Sequence, residues 1–254
     1  MSDRAIPIDG RSYQVDGRAV ARRAIPDSEN LQTNYDIQSE TGYNDGNTVK
    51  PIQDFETTTD LDTGTGPTYK PSAFNSNPIA RFDETDDALS ASGSVSEFNY
   101  MHDGTGGTIY ILVNDYTLDG STRVFLDNND ISPESGFYVI SINEDEIRVE
   151  IANGTDRIVD EGVANFTSNL IGLTLKEGET DEYVVFDENG DIASGSLSAA
   201  PSDSDASADL HVNERVSGGD YAGFDFAQVL SYSAYHQSST RTDVVSYLSN
   251  RWGL

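Results

Sequence analysis

Carboxylate groups are the side chains whose types and spacing come nearest to catalytic chemistry in this sequence. The chain has 254 residues, of which 44 are Asp or Glu. Glu84 and Asp86 form one alternating pair, and Glu179 and Asp181 form another. Hydrolysis of a glycosidic bond needs a general acid facing a second carboxylate across the sugar. Neither pair is followed by a third carboxylate at the next alternate position, so a general acid opposite a nucleophile cannot be assembled locally. We therefore predict no catalytic residues and no enzymatic activity.

Two denser groups of oxygen ligands have the composition that a hard cation prefers. Calcium binds about six to eight oxygen atoms. The group formed by Asp187, Asn189 and Asp191 resembles part of a D-x-N-x-D calcium loop, but it lacks the Gly and the Glu that should follow. At both places we favour turn formation over metal binding, so we predict no cofactor and leave Ca²⁺ as the alternative. The residues are Asp83, Asp86 and Asp87 in the first group, and Asp187, Asn189 and Asp191 in the second.

Histidine and cysteine chemistry is poorly represented. His102, His211 and His236 are scattered, and none lies in a recognisable catalytic motif. We interpret them as surface or turn residues. The chain has no cysteine, which excludes disulfides, thiol catalysis and thiolate metal sites.

Sugar binding is the remaining chemistry, because aromatic rings present a flat apolar face together with a polar group. The composition includes 13 tyrosines and 10 phenylalanines. Tyr110, Tyr138 and Tyr183 lie in strand-like patterns, which favours a core or sheet role. Tyr221 and Tyr235 lie in predicted loops and are our candidate glycan-binding residues.

The elements that position these residues are predicted to be mainly strands. Thr108–Val113 is a nearly continuous apolar run, typical of a strand buried on both faces. Phe137–Ile142 and Glu146–Ile151 predict a hairpin whose second strand has one solvated face carrying Arg148 and Glu150.

One helix is predicted, at the end of the chain. Thr240 and Asp243 have the spacing of a capping box, and Gly253 has the position of a C-terminal cap. The predicted helix covers 240–252. Three apolar residues recur along it at i, i+4 and i+8: Val244, Leu248 and Trp252.

Two segments together resemble the laminin-G-like, concanavalin-A-like sandwich family. They are PIARFDETDDALSASG from Pro78 and AQVLSYSAYHQSSTRTDVVSYLSNRWGL at the end of the sequence. The resemblance implies an all-β jelly-roll sandwich with one C-terminal α-helix packed on it, a fold used more often for binding than for catalysis. The matched positions are Ala80–Asp83, Thr85–Asp87, Leu89, Ala227, Val229, Leu230, Tyr232, Tyr247, Leu248 and Trp252–Leu254.

Three segments are predicted along the chain. Residues 1–28 form an extended basic N-terminal arm, 29–66 an irregular polar connector, and 67–254 the sandwich. The first 26 residues carry five arginines against three aspartates, which suits an arm that becomes ordered on another surface. Its docking residues are Arg4, Arg11, Arg18, Arg22 and Arg23.

The overall charge indicates the environment and excludes some partners. The formal net charge is −29, with only three lysines. Because molar salt shortens the Debye length to about 3 Å, such a chain suits a halophilic setting. Binding to nucleic acid needs a cluster of basic residues on the protein surface, so we predict no nucleic-acid partner. The longest apolar run, Ile109–Val113, is far shorter than the roughly 20 apolar residues that a membrane-spanning helix needs, so we also predict no membrane insertion.

From these features we predict a non-enzymatic structural and binding protein on the surface of a halophilic, haloarchaeal virus particle. It would be a capsid decoration, turret or tail-associated subunit. The arm would contact other virion proteins, the sandwich would contact host-surface glycans, and copies would form a homotrimer or homopentamer. The sequence MSDRAIPIDGRS shows no secretory signal. The alternatives are a cell-associated or secreted carbohydrate-binding module, with an extracellular or cell-surface location, and a divergent glycosidase.

Overall fold

The computed structural model describes residues 24–116, 121–129, 135–143 and 146–254, together with the short paired strands β1 (Gln14–Val15) and β2 (Arg18–Ala19). Four of the five predicted docking residues of the arm lie outside the described residues: Arg4, Arg11, Arg22 and Arg23. For the fifth, Arg18, only the backbone is described.

Fourteen further strands and one α-helix make up the described fold. In chain order they are β3 (Leu31–Asp36), β4 (Thr68–Phe74), β5 (Asn77–Arg81), β6 (Leu89–Ala91), β7 (Gly107–Asn114), β8 (Arg123–Asp127), β9 (Ser135–Asn143), β10 (Glu146–Asn153), β11 (Arg157–Ala164), β12 (Leu170–Leu175), β13 (Tyr183–Asp187), β14 (Gly190–Gly195), β15 (Leu210–Val212), β16 (Asp225–Tyr232) and α1 (Ser238–Trp252).

These strands form two antiparallel sheets. The larger sheet has the order β14-β13-β12-β7-β16-β5-β4, and β3 also pairs with β16. The smaller sheet has the order β11-β10-β9-β8-β15-β6. Alternate residues of both sheets point inward and form one core, in which Phe82 stacks on Phe224 with ring centroids 5.3 Å apart. The predicted jelly-roll sandwich is therefore the observed architecture.

The segment predicted as a polar connector contributes to this core. Strand β3 pairs with β16 in register from Gln228↔Asp36 to Tyr232↔Leu31. Six apolar side chains between residues 29 and 66 are buried, so the sheet begins before the predicted boundary at residue 67. They are Leu31, Tyr35, Ile37, Val49, Ile52 and Leu61.

The helix α1 covers the outer face of the larger sheet, as the resemblance implies. The predicted apolar stripe of Val244, Leu248 and Trp252 is fully buried there. The indole Nε1 of Trp252 donates a hydrogen bond of 2.8 Å to Oε1 of Gln228 on β16. Gly253 ends the helix in the left-handed conformation, with its N–H bonded to the Ser249 carbonyl, as predicted.

The predicted capping box is wrong, because the helix begins two residues earlier than expected. Gln237 occupies the N-cap position and makes no capping bond with its side chain. The first turn is held by Arg241 instead, whose guanidinium binds Asp191 through two contacts of 2.7 Å. No helix in the described part of the chain is long and apolar enough to cross a membrane.

The outer face of β10 differs from the solvated face that the alternation predicts. Glu150 is completely buried there, and its carboxylate lies 3.0 Å from Nε of Arg157. The hydroxyl of Tyr138 on β9 also donates to this carboxylate. Pairing with an arginine and a tyrosine compensates for the burial of the charge.

Candidate functional site

The predicted glycan residue Tyr221 and the predicted acidic turn lie at the same end of the sandwich. The turn 82–88 connects β5 to β6, and the loop 213–224 connects β15 to β16. The two approach so closely that a Cβ atom at Gly223 would stand 2.4 Å from Cγ of Glu84. We call the surface formed by this turn, this loop and the first residues of β8 the Tyr221 end.

The side chain of Asn213 joins the turn to the loop. Its Nδ2 donates to the carbonyl oxygens of Asp83 and Asp87, at 3.1 and 2.7 Å. Its Oδ1 accepts from the N–H groups of Ala222 and Gly223, at 2.8 and 3.1 Å. Asn213 is fully buried with a φ of 63°, a conformation that Asn tolerates better than most residues. One side chain thus fixes both segments.

Within the turn, the carboxylates bind the backbone of the turn itself. Oδ1 of Asp83 accepts from the N–H groups of Thr85, Asp86 and Asp87, at 2.8, 3.1 and 3.3 Å. Oδ2 of Asp87 accepts from the N–H of Asp83, at 3.0 Å. One ligand oxygen from each of Asp83, Asp86 and Asp87 lies within 4.8 Å of the others. The structure therefore gathers the first predicted metal group, and also gives two of its members a role in the turn.

These contacts shift the pKa values of two carboxyl groups in opposite directions. Partial burial raises the pKa of Asp83, but the three N–H donors outweigh this and leave it below the usual value. For Asp87, burial together with the neighbouring charges of Asp83 and Asp86 raises the pKa to about 6. Asp83 therefore stays charged in mild acid, whereas Asp87 becomes protonated.

Tyr221 is held beside further carboxylates. The residue is partly exposed, and its hydroxyl donates a 3.2 Å hydrogen bond to Oε1 of Glu214. Burial, followed by the charge of Glu214, raises the pKa of Tyr221. The backbone is fixed from β8, because Nη1 of Arg123 donates to the Tyr221 carbonyl at 2.9 Å. No pattern in the sequence indicates Asn213, Glu214 or Arg123 as site residues.

The second predicted glycan residue, Tyr235, lies elsewhere. Tyr221 precedes β16 and Tyr235 follows it, so the two rings flank opposite ends of this strand. The Tyr235 hydroxyl donates to the carbonyl of Asp181 at 2.9 Å. A single small sugar cannot contact both tyrosines.

The second predicted metal group is engaged in other contacts. Oδ1 of Asp187 accepts from the N–H groups of Asn189 and Gly190 in the β13–β14 turn, at 2.7 and 3.1 Å. Its other oxygen accepts from the Ser168 hydroxyl at 2.5 Å. Asp191 pairs with Arg241 at the start of α1. Asp187 thus binds the backbone of the β13–β14 turn, whereas Asp191 is paired with the helix.

The histidines lie at three separate places, and two of them are buried rather than at the surface. His102 contacts the Ser202 carbonyl at 3.3 Å, and His211 lies 3.7 Å from Glu214. His236 is buried between Tyr110, at 2.8 Å from Nδ1, and Asp27, at 3.0 Å from Nε2. Since a carboxylate only accepts, Nε2 carries the proton. Burial lowers the pKa of His236 despite the nearby Asp27.

Comparison with known proteins identifies structural relatives only. No protein-family model and no curated protein matches the chain. The binding domain of Paraclostridial Mosquitocidal Protein 1 superimposes with a TM-score of 0.59 and 14% identity, over 87% of this chain and 52% of that one. A botulinum neurotoxin type C structure, from work on cell entry through two ganglioside molecules, gives 0.57 and 9%, over 87% and 51%. Trypanosoma rangeli sialidase with the inhibitor DANA gives 0.55 and 13%, over 90% and 34%.

These similarities show the fold. It is a jelly roll. The chain spans about half the length of the two toxin structures and about a third of the sialidase. The predicted all-β jelly-roll sandwich with one C-terminal helix is confirmed, and the relatives that share it are mainly binding domains.

Proposed function

We propose that this protein is a non-enzymatic carbohydrate-binding module whose sugar site is the Tyr221 end. The observation that carries the proposal is the partly exposed residue Tyr221, fixed beside Glu214 on a loop that Asn213 ties to the acidic turn. A flat apolar surface next to hydrogen-bond acceptors is the arrangement that a sugar ring requires.

The geometry supports binding by a preformed site. The ring of Tyr221 offers its face to the apolar side of a sugar, and the carboxylates of Glu214, Glu84 and Asp86 accept hydrogen bonds from hydroxyl groups. Because Asn213 and Arg123 already fix the two segments, little conformational entropy is lost on binding. The site works without a cofactor, since the inner carboxylates of the turn bind the turn's own N–H groups.

The comparisons support a binding role over the particle role that we favoured from the sequence. Cell entry of botulinum neurotoxin type C depends on interaction with two ganglioside molecules, and the fold is the same at low sequence identity. Absence of catalysis is also part of the proposal.

The proposal is tested by measuring oligosaccharide binding to the full chain in molar KCl, with three variants. Tyr221→Ala should abolish binding, whereas Tyr221→Phe, which keeps the ring, should weaken it by less than about tenfold, since a single hydrogen bond contributes about 0.5–1.5 kcal/mol. Tyr235→Ala, at the other end of β16, is the matched control and should bind normally. Equal binding by Tyr221→Ala and the unchanged protein would place the site elsewhere.

Two additions to this assay address the remaining alternatives. Binding should persist in EDTA, and a loss restored by Ca²⁺ would establish calcium as a cofactor. Release of reducing ends from a bound polysaccharide would establish the glycosidase alternative.

Display on a halophilic virus particle is a separate proposal, supported by the net charge and by the arginine-rich start of the chain. In this case the arm docks on other virion proteins, and three or five copies assemble at the virion surface. The alternative is an extracellular or cell-surface module. Deletion of residues 1–26 should abolish association with the particle and leave sugar binding intact, and unchanged association would exclude docking by the arm.

A further inference from the structure

The charges around Tyr221 constrain the class of sugar that this surface accepts. The Tyr221 end carries six carboxylates and two guanidinium groups. The carboxylates belong to Asp83, Glu84, Asp86, Asp87, Glu214 and Asp220, and the guanidinium groups to Arg123 and Arg215.

Both arginines of this surface are engaged with protein groups. Nε of Arg215 lies 3.2 Å from Oδ2 of Asp220. Arg123 donates to the Tyr221 carbonyl, and its Nη2 lies 4.0 Å from Oε2 of Glu84. An acidic sugar would compete with these partners for either guanidinium, and it would approach through the field of the surrounding carboxylates.

The acceptors, in contrast, include groups that face solvent. The side chain of Glu84 is 53% exposed, and Asp86 is also exposed. Both lie close to Tyr221. The charge of Asp86 helps to raise the pKa of the Tyr221 hydroxyl, and a Cβ atom at Gly223, two residues after Tyr221, would stand 2.4 Å from Cγ of Glu84. Carboxylates accept hydrogen bonds from hydroxyl and ammonium groups, and they repel other anions.

We propose, on the basis of the proposed function, that the Tyr221 end selects neutral and amino-bearing glycans and rejects acidic ones. Amino sugars bind most tightly, because an ammonium group meets Glu84 and Asp86. Neutral sugars bind through the ring of Tyr221 and hydroxyl contacts. Sialylated, uronic and sulfated sugars are excluded by like-charge repulsion.

Three sets of oligosaccharides of equal length test this selectivity in 0.15 M and 2 M KCl: glucosamine oligomers, neutral glucose oligomers and galacturonate oligomers, with sialyllactose as a further acidic probe. At 0.15 M the dissociation constants should increase in the order amino, neutral, acidic. The differences should shrink in 2 M KCl, because the Debye length falls from about 8 Å to less than about 3 Å.

A charge-neutralising variant localises the effect. Glu84→Gln with Asp86→Asn should weaken binding of the glucosamine oligomers roughly threefold to tenfold, as expected for two exposed ion pairs. The neutral oligomers should lose less, because Gln and Asn keep an oxygen that accepts hydrogen bonds from hydroxyl groups. Glu177→Gln with Asp243→Asn removes the same charge from exposed positions outside the Tyr221 end and should change neither.

The outcomes separate this inference from the proposed function. Acidic oligomers that bind as tightly as amino oligomers, and lose binding in Tyr221→Ala, would overturn the selectivity and retain the site. Binding of glucosamine oligomers that Tyr221→Ala leaves unchanged would indicate adsorption to the acidic surface as a whole and overturn the inference. Binding of none of the oligomers would overturn the proposed function itself.

Discussion

Asp87 is the residue of the acidic turn whose titration should be visible in the stability of the protein. Burial and the neighbouring carboxylates raise its pKa to about 6, whereas an unfolded aspartate titrates near about 3.9. Between these two values the folded chain binds more protons than the unfolded chain. The contribution of Asp87 to the free energy of unfolding therefore decreases as the pH rises from about 4 to about 6.

Asp87→Asn should remove this pH dependence. The amide oxygen can still accept the Asp83 N–H bond, so the turn is retained while the charge is lost. We expect the variant to gain stability relative to the unchanged protein as the pH rises from 4 to 6, in denaturant unfolding at constant 2 M KCl. Asp243→Asn, on the exposed face of α1, controls for net charge. A constant difference across this pH range would contradict the assignment.

Asn213 is the residue on which the shape of the Tyr221 end depends. Asn213→Ala removes a buried side chain with four hydrogen bonds, and each buried group left unpaired costs about 1–3 kcal/mol. We expect a loss of at least about 2 kcal/mol on this basis, measured by denaturant unfolding, and a loss of sugar binding.

Asn165 provides the control for backbone strain at this residue type. It is exposed and has a φ of 56°, close to the 63° of Asn213. Asn165→Ala should therefore cost only the strain of a left-handed alanine, about 1–2 kcal/mol or less. Equal losses for the two variants would show that strain, and not the hydrogen bonds, explains the effect at Asn213.

At the scale of single residues, the types of side chain near the candidate site could be predicted from the sequence, but the residues that they contact could not. The density of carboxylates in the acidic turn was visible directly, and so was the loop position of Tyr221. Asn213 lies 126 residues from Asp87 in the sequence, and no local pattern indicates a contact at that separation. Glu150 was misjudged for the same reason, since its burial depends on Tyr138 and Arg157 on other strands.

Strand β3 is the element that determines where the folded unit begins. Its residue Tyr35 and the following Ile37 are buried in the core, and the side chain of Asn34 accepts a 2.9 Å hydrogen bond from Gln228, which also accepts from Trp252. Loss of β3 would therefore expose the central strand β16 and disturb the attachment of the helix.

Two truncations test this boundary. A chain beginning at Ala24 should unfold cooperatively with nearly full stability, because all described contacts of the sandwich remain. A chain beginning at Pro67 should fail to fold or aggregate, because it loses six buried apolar side chains, each contributing about 1.5–3 kcal/mol on full burial. Circular dichroism and thermal unfolding measure both. A stable chain beginning at Pro67 would show that residues 29–66 are not required for the sandwich to fold.

The elements themselves were largely predictable where their patterns are periodic. The run Thr108–Val113 indicated a strand buried on both faces, and β7 has this environment between the core and α1. The helix stripe was correct because a spacing of four residues is distinctive. The apolar residues between 29 and 66 were missed because they are isolated among polar ones, and only the tertiary fold gathers them. The capping box failed because Arg241 fixes the first turn by a contact that lies outside the helix.

At the scale of the whole molecule, the net charge of −29 should make stability dependent on salt. Repulsion between surface carboxylates is screened as the Debye length falls from about 10 Å at 0.1 M to about 3 Å at 1 M. We expect the midpoint of thermal unfolding to rise with KCl, and most of the rise to occur below 1 M. Neutral sucrose at matched osmolality should not reproduce the steep part of this curve. A midpoint that is flat or falling in KCl would contradict a halophilic adaptation.

The contact between Asp27 and His236 fixes the place where the segment around residue 27 is attached to the sandwich. This place follows the last residue of β16, while Tyr221 precedes the first, and eight residues of strand separate them by roughly 26 Å. A tether that runs through residue 26 would therefore pull on the end of the domain opposite Tyr221. If the Tyr221 end binds sugar as proposed, tethered copies of the protein would present their sites away from the attachment point, where several copies could bind one extended polysaccharide.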